Sequence, residues 1–214
     1  MIDLHTHSLL SDGELLPSEL ARRYEDKGFK AVAITDHADL SNLEFVVKSI
    51  VEFCAQWPKN RIKVIAGIEL THLPLNQFKG AVECARQNGI KIVIAHGETL
   101  VEPVLKGTNK AALEAGIDIL SHPGLISEED VKLATKKNIF LEISARKGHC
   151  LGNGHVVKLA LKYKANLCIN SDSHAPCDIP SIDYFKKVGL GAGLTLKDLV
   201  RMEKIAQSFL SARA

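Results

Sequence analysis

Aromatic residues make up only 5% of this 214-residue sequence, and no basic block stands out behind its net charge of +2. A chain that tracks nucleic acid along a groove normally shows basic and aromatic residues together, so their scarcity counts against that class. No apolar run approaches the roughly 20 residues needed to span a bilayer. The opening MIDLHTH lacks the basic and apolar regions of a signal peptide. Five cysteines (Cys54, Cys84, Cys150, Cys168 and Cys177) form an odd set with no C-x-x-C pair. That argues against a disulfide framework and for a reducing cytoplasm. No G-x-G-x-x-G follows the first apolar run, which leaves a dinucleotide fold without support. No linker or low-complexity stretch divides the chain, and a single domain over residues 1–214 is expected.

What is present is alternation. Short apolar runs, MIDLH, AVAIT, KVIAGIEL, IKIVIAH, IDILSH, IFLEISA and NLCINSD, recur along the chain. Their β-branched content and length suit strands buried on both faces. Amphipathic helical stretches separate them. Pro17 is placed for a first helical turn with Gly28 as a stop, and a second helix ends at Gly116. Ser127 with Asp130, and Thr195 with Asp198, have capping-box spacing. Seven βα units predict a parallel sheet wound by right-handed crossovers, either open or closed as a barrel.

The polar residues favour the barrel, because they fall at one end of the strands. The first strand ends at His5 and His7, which share a face because residues i and i+2 of a strand project together. The second runs into Asp36 and His37. The later strands end at Glu69, His96 and His122, and the last at Asp172 and His174. In an α/β barrel the C-terminal strand ends form the mouth where chemistry is done. Packing alone does not place His, Asp or Glu at the end of six strands out of seven. Imidazole and carboxylate without cysteine suit Zn, Mn or Fe. With Asp12, and leaving Asp36 aside, the candidates number nine, too many for one ion and enough for three. The carboxylates Asp12, Glu69 and Asp172 would leave such a centre net positive, so it would attract a phosphate and lower the pKa of a bound water.

The motifs DLHTHSLLSDG, ITDHA, GIEL, IAHGE, SHPG, LEIS and INSDSH closely resemble the PHP family, named for polymerases and histidinol phosphatases. The resemblance runs from Asp3 to about Pro176. It implies a distorted (β/α)7 TIM-like barrel of the PHP type with two or three divalent ions. It also implies that His5 and His7 share one ion with Glu69 and Asp172. Glu69 would bridge to a second, completed by His96 and His122, and Asp12, His37 and His174 would hold a third. Some relatives carry His where this chain has Asp12.

The expected chemistry is hydrolysis of a small phosphomonoester, as in histidinol phosphatase, by in-line attack of a metal-bound hydroxide. No Ser or Cys stands in a nucleophile motif. Ser8 and Ser11 read as turn and capping residues. Substrate contacts are expected from SARKGHCLGNGH, where Arg146 is suited to hold a phosphate oxygen, with Lys147 and His149 as further candidates. His72 follows Glu69 and is expected to face solvent, while His155 belongs to a helix starting near Gly154. Cys168 reads as a buried small hydrophobe. One alternative is a nuclease or 3′-phosphatase acting on nucleic-acid ends, since DLHTHSLLSDG and INSDSH also resemble the PHP domains of family X DNA polymerases. A second is an amidohydrolase, whose barrels also open with H-x-H but typically bridge their ions with a carboxylated lysine. A third is a non-enzymatic barrel like the RNase P subunit, which typically lacks these ligands.

Overall fold

A computed structural model describes residues 1–213. Eight strand segments are β1 (Ile2–Asp3), β2 (Ala31–Ile34), β3 (His37–Ala38), β4 (Lys63–Leu70), β5 (Ile92–His96), β6 (Ile119–Ser121), β7 (Phe140–Ser144) and β8 (Leu167–Asn170). All pairings are parallel, in the order β1-β2-β4-β5-β6-β7-β8. The segment β3 resumes the path of β2, since Ile34 pairs with Ala66 and His37 with Glu69. The result is a nearly closed barrel of seven parallel strands. Thr6 bridges Ser173 across the seam, where His7 N donates to Ser173 O (2.9 Å) and Asp172 N to His5 O (2.9 Å).

Alternation along each strand sorts the apolar residues into two cores. On β5, Ile92 and Ile94 join Ile2, Leu4, Ile119 and Phe140 inside the barrel. Val93 and Ala95 instead face the surrounding helices. These are α1 (Pro17–Asp26), α2 (Leu43–Gln56), α3 (Phe78–Gln87), α4 (Thr108–Ala115), α5 (Glu128–Lys137), α6 (Asn153–Tyr163), α7 (Ile182–Gly191) and α8 (Leu196–Ser211). The local signals place several ends. Pro17 opens α1, Ser127 accepts from Asp130 N at α5, and Thr195 and Asp198 form the full capping box of α8. Gly116 ends α4 at φ +82°, a conformation open to glycine at no steric cost.

Helix α8 seals one end of the barrel. Phe209 packs edge-on against Phe140 at 5.0 Å, and Leu210 enters the inner cluster. Arg213 and Arg86 both pair with the buried Asp118 just before β6. With the N-terminal end plugged, the polar C-terminal end is the open mouth. No helix among the described residues is long and apolar enough to cross a membrane.

Candidate metal centre

The nine candidates gather at that mouth. His5 and His7 extend from β1 onto one face, with ring centroids 5.0 Å apart. His5 Nε2 lies 3.2 Å from Glu69 Oε1 and 3.7 Å from Asp172 Oδ1. His7 Nε2 lies 3.2 Å from Asp172 Oδ1 and 3.6 Å from Glu69 Oε2. The carboxylate of Glu69 reaches further, to His122 Nε2 at 3.6 Å, and the His96 ring lies 4.4 Å from that of His122. On the other flank Asp12 Oδ1 faces His174 Nε2 (3.3 Å) and His37 Nε2 (3.7 Å). The groups His5–His7–Asp172, His5–Glu69–His122 and His7–Asp12–His37–His174 each converge closely enough to share an ion.

These donors fit divalent cations on the structure's own terms. His5 Nε2, His7 Nδ1, His7 Nε2, Glu69 Oε2 and His122 Nδ1 are buried side-chain atoms without a hydrogen-bond partner. Leaving buried polar atoms unpaired costs on the order of 1–3 kcal/mol each, so a cluster of five marks a place built for something else. Two donors about 2.0–2.2 Å from one ion sit roughly 3.0–3.4 Å apart, and the His5 Nε2–Glu69, His7 Nε2–Asp172 and His174 Nε2–Asp12 separations of 3.2, 3.2 and 3.3 Å fall in that interval.

The surroundings set the rings. His5 Nδ1 donates to Glu142 Oε2 at 2.7 Å, leaving the Nε2 lone pair to face Glu69 and Asp172. Burial disfavours a charge on His5, but Glu69, Glu142 and Asp172 outweigh it and raise its pKa well above the ordinary value. Burial, then His37, His5 and His174, drive His7 well below. Glu69 resists burial through His5 and His37 and stays well below the usual carboxylate range. Asp12 is held at about 2, because the His174 hydrogen bond and the His37 charge outweigh its burial. Burial, then His122, hold His149 at about 3. Burial disfavours a charge on His37 and His122 as well, but Glu69 and Asp172 raise both, so a metal taking these rings would displace their protons.

Backbone strain concentrates here too. Five non-glycine residues among those described have positive φ. Asn138 and Lys164 are helix C-caps, whereas His72 (+52°), His122 (+24°) and Asp172 (+55°) lie at the mouth. Strained residues of this kind persist where the surrounding structure fixes them and cluster at functional sites.

A cavity of about 480 Å³ opens over the cluster, lined by Asp12, His96, His122, Arg146 and His149 among others. Arg146 donates through Nη1 to Asp172 O at 2.9 Å and approaches His174 Nδ1 at 2.7 Å. Lys147 lines a neighbouring cavity instead. His149 is buried and stacks on His122 at 4.1 Å. His72 is half exposed yet lines the mouth, and the Nε2 of His155, in α6, bonds Ile126 O. Asp36 is a support: Ser8 and Ser11 both donate to it, fixing the turn that presents Asp12. Cys168 is buried, while Cys150 and Cys177 are exposed beside the neighbouring cavity.

Two acidic residues of the mouth escape sequence reasoning. Glu142 carries a readable signal, being the sole charge in the fully buried β7. Glu102, 3.0 Å from His96 Nε2, sits in a loop whose sequence carries none.

The PHP domain family matches residues 3–106. An uncharacterized protein of Methanocaldococcus jannaschii is 45% identical over 202 residues, covering 92% of both chains. A probable phosphatase of Clostridium novyi is 26% identical, covering 88% of this chain and 84% of its own. Histidinol phosphate phosphatase of Lactococcus lactis, solved with zinc, L-histidinol and phosphate, superposes with a TM-score of 0.64 at 17% identity, covering 91% of this chain and 94% of that one. A chain of archaeal ribonuclease P, solved with mature tRNA, gives 0.73 at 16% identity, covering 100% and 91%. The fold is thus an α/β barrel shared by these structures, and the chain belongs to the PHP family.

Proposed function

We propose that this protein is a metal-dependent phosphoesterase acting on a small phosphomonoester. The observation that carries this reading is the convergence of buried, unpartnered imidazole and carboxylate atoms at the open end of the barrel. Divalent ions bound there supply positive charge for phosphate oxygens and acidify water. We assign His5, His7, Glu69 and Asp172 to one ion, Glu69, His96 and His122 to a second, and Asp12, His37 and His174 to a third. Arg146, a third exposed and reaching over Asp172 and His174, is placed to hold a phosphoryl oxygen with the N–H groups it does not use internally. The Nε2 of His149 faces Glu102 (3.3 Å) rather than open space, which leaves Arg146 the principal substrate contact. Lys147 lines the neighbouring cavity, where we assign it a peripheral substrate contact.

The family match ends at residue 106, whereas His122, Asp172 and His174 come from beyond it. We therefore infer one PHP domain over residues 1–214. The Clostridium relative supports the phosphatase reading through its name. Nine metal-type side chains at one mouth also distinguish this barrel from a purely RNA-binding one. Glu69 stands where an amidohydrolase would bridge its ions with a modified lysine.

The test is phosphate release by Mn- or Zn-reconstituted protein from histidinol phosphate, sugar and nucleoside monophosphates, and a 3′-phosphorylated oligonucleotide. Metal-dependent release from a small ester, abolished in Glu69→Ala, is the expected result. Release from the oligonucleotide alone would shift the reading to nucleic-acid end processing. Full activity in Glu69→Ala would overturn the mechanism.

A further inference from the structure

The loop between β5 and α4 is tied down at each stage. At its two ends, Glu98 Oε1 accepts from Gly107 N and Asn109 N, both at 3.0 Å, while Asn109 Oδ1 accepts from Glu98 N at 2.9 Å. Close approaches seat its start: a Cβ on Gly97 would collide with Ser121 O, and one on Gly124 with Glu98 O. In mid-loop, Thr99 Oγ1 bonds His149 Nδ1 at 2.7 Å, and Val101 packs on Gly148. The loop is a strap across the mouth, and what it carries inward is Glu102.

Glu102 meets only imidazoles. Oε2 lies 3.0 Å from His96 Nε2 and 3.8 Å from His72 Nε2, and Oε1 lies 3.3 Å from His149 Nε2. Among the described residues, no lysine or arginine comes within ion-pair distance of it. The only hydrogen-bonding partner of the His96 ring among the described residues, besides Glu102, is a carbonyl, Gly97 O, 3.2 Å from Nδ1. His96 Nε2 and Glu102 Oε2, 3.0 Å apart, sit at the spacing of two donors on one ion, and together with His72 they converge closely enough to share one.

We propose that Glu102 is a further metal ligand, brought by the strap onto the divalent ion that His96 and His122 share with Glu69. The inference rests on the metal-centre part of the proposed function. It adds a carboxylate from a loop to an ion otherwise held from strand ends. His149, fixed by Thr99 and stacked on His122, keeps Glu102 in place on its other oxygen.

The experiment is a calorimetric titration of Zn and of Mn into chelator-stripped full-length protein, comparing wild type with Glu102→Gln, alone and combined with His96→Ala. Glutamine matches the shape of glutamate while removing its charge and turning one acceptor oxygen into an NH2 donor. Glu102→Gln should weaken one binding step by on the order of 10–100-fold, leave the other steps in place, and add no further loss on His96→Ala. Cobalt(II) serves as a second probe needing no core substitution: the visible bands of the loaded protein should change between wild type and Glu102→Gln. Isotherms and cobalt spectra that superpose with wild type would overturn the proposal, leaving Glu102 as an ion-pair partner of a protonated His96. Wild-type protein that takes up no metal would overturn it together with the metal centre. Metal uptake weakened as expected, with every phosphate ester untouched, would sustain this assignment while the phosphoesterase reading fails.

Discussion

The His5 ring is held from behind. Its Nδ1 meets Glu142 Oε2 at 2.7 Å, and Asn170 Nδ2 bonds the same oxygen at 2.8 Å. Burial disfavours the Glu142 carboxylate, yet His5 stabilises it enough to lower its pKa. Partners of this kind fix a ligand's tautomer and typically contribute 10–100-fold to metal affinity. Glu142→Gln should therefore weaken metal binding by on the order of tenfold or more, measured by competition with a chromogenic chelator. Unchanged affinity would show that Glu142 only fills space. Arg146 makes a different prediction, because its close contacts are to the Asp172 carbonyl and to the His174 ring nitrogen that does not face Asp12. Arg146→Lys keeps the charge but loses the planar fork, so kcat/KM for a phosphate ester should fall by roughly tenfold, while metal content measured by atomic emission stays at the wild-type level. The legibility of single residues follows the same division. His5 and His7 are readable because strand geometry alone puts them side by side. Glu102 is not, because only the folded strap brings it to His96.

At the scale of elements, the strands were readable and their interruptions were not. KVIAGIEL is β4 residue for residue, since a β-branched run buried on both faces has few alternatives. AVAIT instead breaks after Ile34, because Thr35 N turns to Thr6 O (2.8 Å) and Asp36 serves the β1 loop. That gap depends on contacts about 30 positions away in sequence. Helix α2 carries no side-chain cap at Asn42 and so offers no local start signal, in contrast to the capping box of α8. Elements are also pinned to each other. Glu25, in the last turn of α1, receives Arg61 and Ile62 N from the chain entering β4. The Arg61 hydrogen bond is the main reason its pKa falls to about 2. A carboxylate depressed in the folded state adds stability above its unfolded pKa and loses it as pH falls toward the folded value. Wild type should therefore exceed Glu25→Gln in urea midpoint at pH 6, with the gap closing steadily from about pH 4.5 downward. A gap constant between pH 6 and pH 3 would show that the pair is not coupled to folding.

On the scale of the whole molecule, the barrel is closed at one end by hydrophobic packing and held at the other by polar groups that oppose one another. Helix α8 buries Leu210 and Phe209 against the inner core. At the mouth, the β1–β8 seam is joined by one bridge, its backbone hydrogen bonds and side-chain bonds such as Leu4 N to Asn170 Oδ1 and Ser171 N to Asp3 Oδ1, beside five unpaired buried atoms. An ion that binds the folded barrel and not the unfolded chain stabilises it by about 2.7 kcal/mol per site at free metal 100-fold above Kd. For a chain of this length that is a rise of roughly 5–10 °C in Tm per site. Thermal unfolding with saturating Zn or Mn, and again after chelation, should differ by at least that amount. Glu69→Ala should show less than half the wild-type shift, because the proposed assignment makes Glu69 a ligand of two ions. The plugged end supplies the control. Phe209→Ala removes packing from the opposite end of the barrel, so it should lower Tm in both conditions and leave the metal-dependent shift intact. A wild-type Tm indifferent to chelation would mean that the mouth is held by protein contacts alone. A shift that vanished in Phe209→Ala would mean that the two ends of the barrel do not act independently.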